Sequence, residues 1–381
     1  VKSLFVTLGA VGVLLAGCSS DPQQRPASVL TTSTSTPAAP EDSTITPTSA
    51  SKLVEGRDYD DVAALPAQID GSQAYWFGVD AQGTAYGEIM VPDPKADPGS
   101  MALDSFMQPV MVDTAGELTR MTPVRNSGIR TQMTGADADD RWVTWLESAS
   151  GQVGAGRWTL FSYERSSGTL HELGSWEDEV AGKESGLDYE GRPEILGDDV
   201  VMTAWSMTHG HGTGKILRAP LDGSAPLDEL VADAKDPDVD EQGFSYVAGS
   251  GALMYRETAT GASREVSPAG AACQFYRSDT LLTCVATTAG MEVHIAKPSG
   301  VLRFGPFAHV SYLALRDGWA TFVEDADGDP TIHAVDLSRS TGYEVSSSQS
   351  DWRLMGHGYA LVAERSDPAK VPEGYQLIKL R

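Results

Sequence analysis

The stretch DTLLTCVATTAGMEVHIAKPSGVLRFGPFAHVSYLALRDGWAT, from Asp279 to Thr321, decides the fold. It opens and closes on one phrase: Asp, any residue, two apolar residues, Thr. The phrase recurs as Asp140-Arg141-Trp142-Val143-Thr144 and Asp199-Val200-Val201-Met202-Thr203, with a looser copy from His357 to Leu361. A turn glycine closing an alternating strand recurs too, at Gly168, Gly223, Gly261, Gly300 and Gly342, the last four separated by 38, 39 and 42 residues. A repeat near 40 residues holding about four short strands is the signature of a β-propeller, in which each repeat is one blade. No blade buries a core alone, so the repeats must stack.

Working outward, alternating apolar runs and Gly, Asp and Ser turns fill the chain after about residue 73, and no stretch sustains a helical period. The reading is all-β, with units at about 73–127, 128–178, 191–234, 236–269, 270–308, 309–347 and 351–381. The last unit shows three strands, and the segment from Val62 to Ile69 is the candidate for the missing fourth, closing the ring. Seven blades follow, with six as the competing count because the first unit is irregular and the 236–269 unit weak. The period and turn phrases resemble those of TolB-like and WD40-like propellers, many of them in bacterial envelopes. That resemblance implies a fold and carries no catalytic signature with it.

The N-terminus reads as an address. After Val1 and Lys2 comes an apolar run from Ser3 to Ala16, too short for a mature transmembrane helix, which needs about 20 residues. Leu15-Ala16-Gly17-Cys18 then resembles the lipobox of bacterial lipoproteins, which implies a lipid on the Cys18 thiol and cleavage just before it. Residues 1–17 are thus expected to be a signal peptide. Residues 18–52, rich in Ser, Thr and Pro, are expected to be a disordered tether, because they offer too little apolar surface to offset chain entropy. The propeller is expected over 53–381. The implied location is extracytoplasmic, anchored to a membrane of the cell envelope, with the lipid bilayer as first partner.

Composition narrows the partners. With 53 acidic against 28 basic residues the formal net charge is -25, which opposes binding to nucleic acid. Cys18 aside, the chain has Cys273 and Cys284. An even pair in an exported domain suggests a disulfide. If Ser278 and Asp279 form a two-residue hairpin turn, the two cysteines stand opposite each other on neighbouring strands.

Candidate binding residues sit in long connections expected on one face of the ring, where a rigid scaffold usually carries recognition. The stretch WEDEVAGKESGLDYEGR contributes Trp176, Glu177, Asp178, Glu179 and Asp188, and SMTHGHGTG contributes His209 and His211. Carboxylates and imidazoles together are the ligand types of a divalent metal. Asp325, Asp327 and Asp329 resemble a fragment of a calcium loop, but the twelfth position carries Asp336 where an EF-hand has its glutamate, and a hairpin turn explains the segment as well. No cofactor is expected beyond such a cation.

Nucleophile elbow, HExxH, CxxC and P-loop motifs are all missing from the sequence. The expected function is therefore a non-enzymatic binding or scaffolding module for an envelope protein, peptide or glycan. The alternative is an extracytoplasmic hydrolase or lyase with an acidic site in the central channel.

Overall fold

The recurring phrase marks one place in the architecture, the start of a blade's second strand. We describe a computed structural model over residues 42–92, 105–122, 132–148, 157–177, 192–208, 211–270, 273–324, 331–345, 352–364 and 373–381. Second strands lie between neighbouring blades, and their starts can be apolar on both faces. In Asp199–Thr208, Val200, Val201 and Met202 are wholly buried in succession. Outer strands such as Ser263–Ser267 are mostly exposed.

Seven antiparallel sheets result, one per blade. Blade one comprises Ser72–Val79, Ala85–Pro92, Ser105–Val112 and Leu118–Arg120, with Gln68–Ile69 paired ahead of it. Blade two is Gln132–Ala138, Trp142–Ser148, Arg157–Glu164 and Thr169–Glu177. Blade three is Glu194–Leu196, Asp199–Thr208, His211–Pro220 and Asp228–Val231. Blade four, the unit that read as weak, is complete: Ala234–Val239, Gly243–Ala248, Leu253–Glu257 and Ser263–Ser267. Blades five and six run Gln274–Arg277, Thr280–Thr287, Gly290–Lys297, Gly300–Phe307, then Val310–Arg316, Trp319–Glu324, Thr331–Asp336, Thr341–Val345.

Blade seven has three C-terminal strands, Trp352–Gly356, Tyr359–Glu364 and Gly374–Leu380, and takes its fourth from the other end of the chain. That strand is Tyr59–Pro66, antiparallel to Gly374–Leu380 with Tyr59 opposite Leu380 and Leu65 opposite Tyr375. The closing strand thus begins and ends about a turn earlier than the expected Val62–Ile69, because Asp70 and Gly71, both at positive φ, turn Gln68–Ile69 back onto Ser72–Val79.

The ring also reaches further toward the N-terminus than residue 53. Ser43–Ile45 lies parallel to the outer strand of blade five and Ser51–Lys52 parallel to that of blade six. Ile45 is buried against Phe304, and Asp42 accepts from the Val301 amide and Arg303. Unpaired backbone groups at a sheet edge bind any extended chain, so a Ser/Thr-rich segment can be held without an apolar side-chain pattern. A belt of chain therefore crosses blades five, six and seven in order.

The apolar side chains buried among the described residues gather between adjacent blades. Leu282, Val293 and Phe304 of blade five meet Phe322 and Val335 of blade six, and the same holds around the ring. The seam between blades four and five is the smallest, Leu253 and Tyr255 against Tyr276.

The expected disulfide is present, joining Cys273 and Cys284 with Cα atoms 5.2 Å apart. Ser278 and Asp279 both adopt positive φ, the two-residue turn that puts Gln274 opposite Thr283 and hence the cysteines opposite each other.

Candidate functional site: charges across the central channel

First-to-second-strand turns of the blades gather on one face and touch their neighbours. Asp240 of blade four accepts the Ser278 amide of blade five, and Asp317 of blade six accepts the Gly358 amide of blade seven. Just inside this face, the first strands bring ionisable side chains to the axis. Arg316 is the last residue of its strand, before the turn at Asp317 and Gly318, and Arg277 stands likewise before Ser278 and Asp279. Glu194, Asp238 and Asp137 come from the first strands of blades three, four and two.

These groups pair. Arg316 donates from Nη2 to Glu194 at 2.7 Å, a bond that spans the ring from blade six to blade three. Arg277 donates to Asp238 at 2.7 Å, and Arg192 lies 3.6 Å from Asp137 while its Nε donates to the Ala136 carbonyl. Backbone amides complete the carboxylates: Val239 donates to Glu194 and Ile195 to Asp137. The Tyr86 hydroxyl approaches Asp137 through the space a side chain at Gly78 would fill, 1.7 Å from that glycine's notional Cβ.

Their charge states follow from the competition of burial with these pairs. Burial disfavours ionised Glu194, but the fields of Arg316, Arg192 and Arg277 with the Val239 amide prevail and hold its carboxyl below the usual range. Asp238 goes the other way: burial, then the negative charge of Glu194, push it up to about 6 against the pull of Arg277 and Arg316. Burial raises Asp137 too, with Arg192 opposing. Burial disfavours the Arg316 cation, yet the surrounding Glu194, Asp238 and Asp137 raise its pKa. Three guanidiniums thus face three carboxylates, of which Glu194 is held ionised, and Arg316–Glu194 bridges the axis.

Beside this bridge a cavity of about 310 Å³ opens on the short-turn face. Arg277 and Arg316 stand in it with Leu315 and Leu337, and Asp240, Glu241 and Asp317 edge it.

None of the expected site residues that are described lines this channel or cavity. Cys18, Asp178, Glu179, Asp188, His209, Asp325, Asp327 and Asp329 lie outside the described residues. Trp176 and Glu177 do not open a loop; they end the outer strand of blade two, opposite Trp158 and Arg157. His211 begins a strand opposite Thr208, so the described part of the Gly-rich stretch that read as a long loop is paired strand. Gly214 serves packing: a Cβ there would stand 2.6 Å from the Ala234 carbonyl oxygen of blade four. Among the described residues no three His, Cys, Asp or Glu side chains are placed to hold a metal ion. The arginine–carboxylate set was missed because it has no local motif. Its one signal is position: Asp137, Glu194, Arg277 and Arg316 each stand shortly before the Asp that opens a phrase.

The chain is a seven-bladed β-propeller, and the comparisons agree on the fold. No family model and no curated protein matches it. Among solved structures it is similar to the β-propeller domain of the Trilobed protease from Pyrococcus furiosus, at 7% identity and TM-score 0.50 over 80% of this chain and 93% of that one. It is similar to the Pyrococcus horikoshii acylaminoacyl peptidase at 7% identity and TM-score 0.52, over 81% of this chain and 51% of that one. A manganese-bound oligogalacturonate lyase matches at 11% identity and TM-score 0.48, over 87% and 98%. The chain spans about half the length of the peptidase. At these identities the likeness concerns the fold.

Proposed function

We propose that this protein is a lipoprotein held to an envelope membrane through Cys18, and that its propeller is a non-enzymatic binding module for an envelope protein, peptide or glycan. The anchor reading rests on the apolar run from Ser3 to Ala16 ahead of Leu15-Ala16-Gly17-Cys18, and the Cys273–Cys284 bridge fits an oxidising compartment. One observation carries the binding reading. The Arg316–Glu194 pair crosses the channel, and the neighbouring carboxylates Asp137 and Asp238 are engaged as well. General acid–base work on a substrate needs carboxyl groups free to exchange protons with it; here they face guanidiniums and amides.

Crosslinking in intact envelopes tests this with the full chain and its Cys18→Ser variant. The expected result is a partner recovered with the membrane fraction by the wild type, and release or loss of lipidation in the variant with the propeller still folded. Turnover of a glycan or peptide without any recovered partner would overturn it.

The second reading is an extracytoplasmic hydrolase or lyase with an acidic site in the central channel, where Asp238 is pushed up to about 6, chiefly by burial and then by the charge of Glu194. On this reading a glycan or peptide turned over by the wild type would be left intact by Asp238→Asn.

A further inference from the structure

We infer that the cavity on the short-turn face binds a small zwitterion, a free amino acid or short peptide presenting a carboxylate and an ammonium together. The inference rests on the binding reading above and names its ligand class.

Donors come first. A guanidinium carries five N–H donors. Among the described residues Arg316 spends Nη2 on Glu194 and Arg277 spends Nη1 on Asp238, so each keeps N–H donors beyond its ion pair, and both line the cavity. A planar fork of N–H groups is the natural receptor for a carboxylate. Each arginine is tied to a channel carboxylate, which preorganises the fork.

Acceptors come second. Glu241 stands exposed on the rim, and Asp317 and Asp240 beside it, though Asp317 also takes the Gly358 amide and Asp240 the Ser278 amide. These carboxylates repel polyanions, as does the net charge of -25. The two guanidiniums in turn repel a simple cation. A ligand carrying one charge of each sign satisfies both.

Size and lining agree. About 310 Å³ is at the small end of ligand sites. Leu315 and Leu337 offer an apolar wall for a side chain, and Gly318 a stretch of backbone without one. This site lies on the face opposite to the one whose loops drew attention in the sequence.

Isothermal titration of the full lipidated chain in detergent micelles tests the assignment. The probes are glycyl-leucine, its N-acetyl and C-terminal amide derivatives, and citrate as a polyanion. Glycyl-leucine is expected to bind, with each blocked form at least tenfold weaker and citrate silent. Glu241→Gln should weaken glycyl-leucine about tenfold while leaving the melting temperature unchanged and the weak N-acetyl binding no weaker, which a structural role for Glu241 would not do. Arg277→Gln should weaken glycyl-leucine and the N-acetyl form alike. Silence toward glycyl-leucine, equal binding of the amide, or tighter binding of citrate would overturn the inference. Chromatography of the titrated peptide separates the two proposals. Cleavage to glycine and leucine would leave the cavity assignment standing and remove the non-enzymatic reading; silence with envelope crosslinks intact would remove the cavity assignment alone.

Discussion

Glu88 has 3% of its surface exposed and accepts the Met133 amide across the seam between blades one and two. Its pKa rises from 4.5 when unfolded to about 8 when folded, so the folded state holds a proton that the unfolded state gives up. The stability this contributes is complete below pH 4.5 and declines as pH rises through about 8. Glu88→Gln mimics the protonated form. Its unfolding free energy, from urea melts between pH 5 and 9, should fall less steeply with pH than that of the wild type, with the gap widest on the alkaline side; parallel curves would refute the account. Arg316 and Glu194 show the opposite economy, where opposite charges outweigh burial and both groups stay ionised. Neither case was legible in the sequence. Glu88 reads as one carboxylate among 53 acidic residues, and only the stacking of blade on blade dries it.

Strands and hairpins were legible because their cause is local. The phrase begins with the residues of a tight turn and continues into a strand apolar on both sides, as Trp319-Ala320-Thr321-Phe322 shows, all four buried. The Cys273–Cys284 bridge followed from the same turn. It staples the first hairpin of blade five beside the smallest apolar seam, where Arg264 stacks over Tyr255 and Tyr276 and donates to the Tyr276 hydroxyl. Closing a loop of 11 residues' separation stabilises by about 3 kcal/mol on chain-entropy grounds. Replacing both cysteines with serine should therefore lower the unfolding free energy by about 2–3 kcal/mol in denaturant titration, and an unchanged midpoint would show that the strands hold register unaided. What the sequence hid were elements whose cause is distant. Ser43–Ile45 and Ser51–Lys52 are strands only because blades five and six offer open edges, and Trp176 and His211 extend strands whose partners decide their length.

At the scale of the whole molecule, the ring is closed by chain from the end that carries the proposed anchor. Tyr59–Pro66 completes blade seven, Leu65 packs with Leu377 and Leu361, and Arg381 reaches back to Asp60 and the Gly56 carbonyl. Ahead of it the belt covers two sheet edges that would otherwise invite pairing with another chain. Closure and edge protection are thus separable along the sequence, and a truncation series should resolve them. Starting at residue 42 removes neither, so the protein should melt as the full chain does. Starting at residue 53 removes the pairing with blades five and six; the ring should stay closed but self-associate in sedimentation, through edges no longer covered. Starting at residue 67 deletes the closing strand and leaves blade seven with three strands, its apolar seam to blade one half exposed. That chain should lose its sharp thermal transition and yield to limited proteolysis at the C-terminal blade first. If it melted like the others, the closing strand would be an ornament of the ring, and its stability would have to reside in the blade-to-blade seams alone.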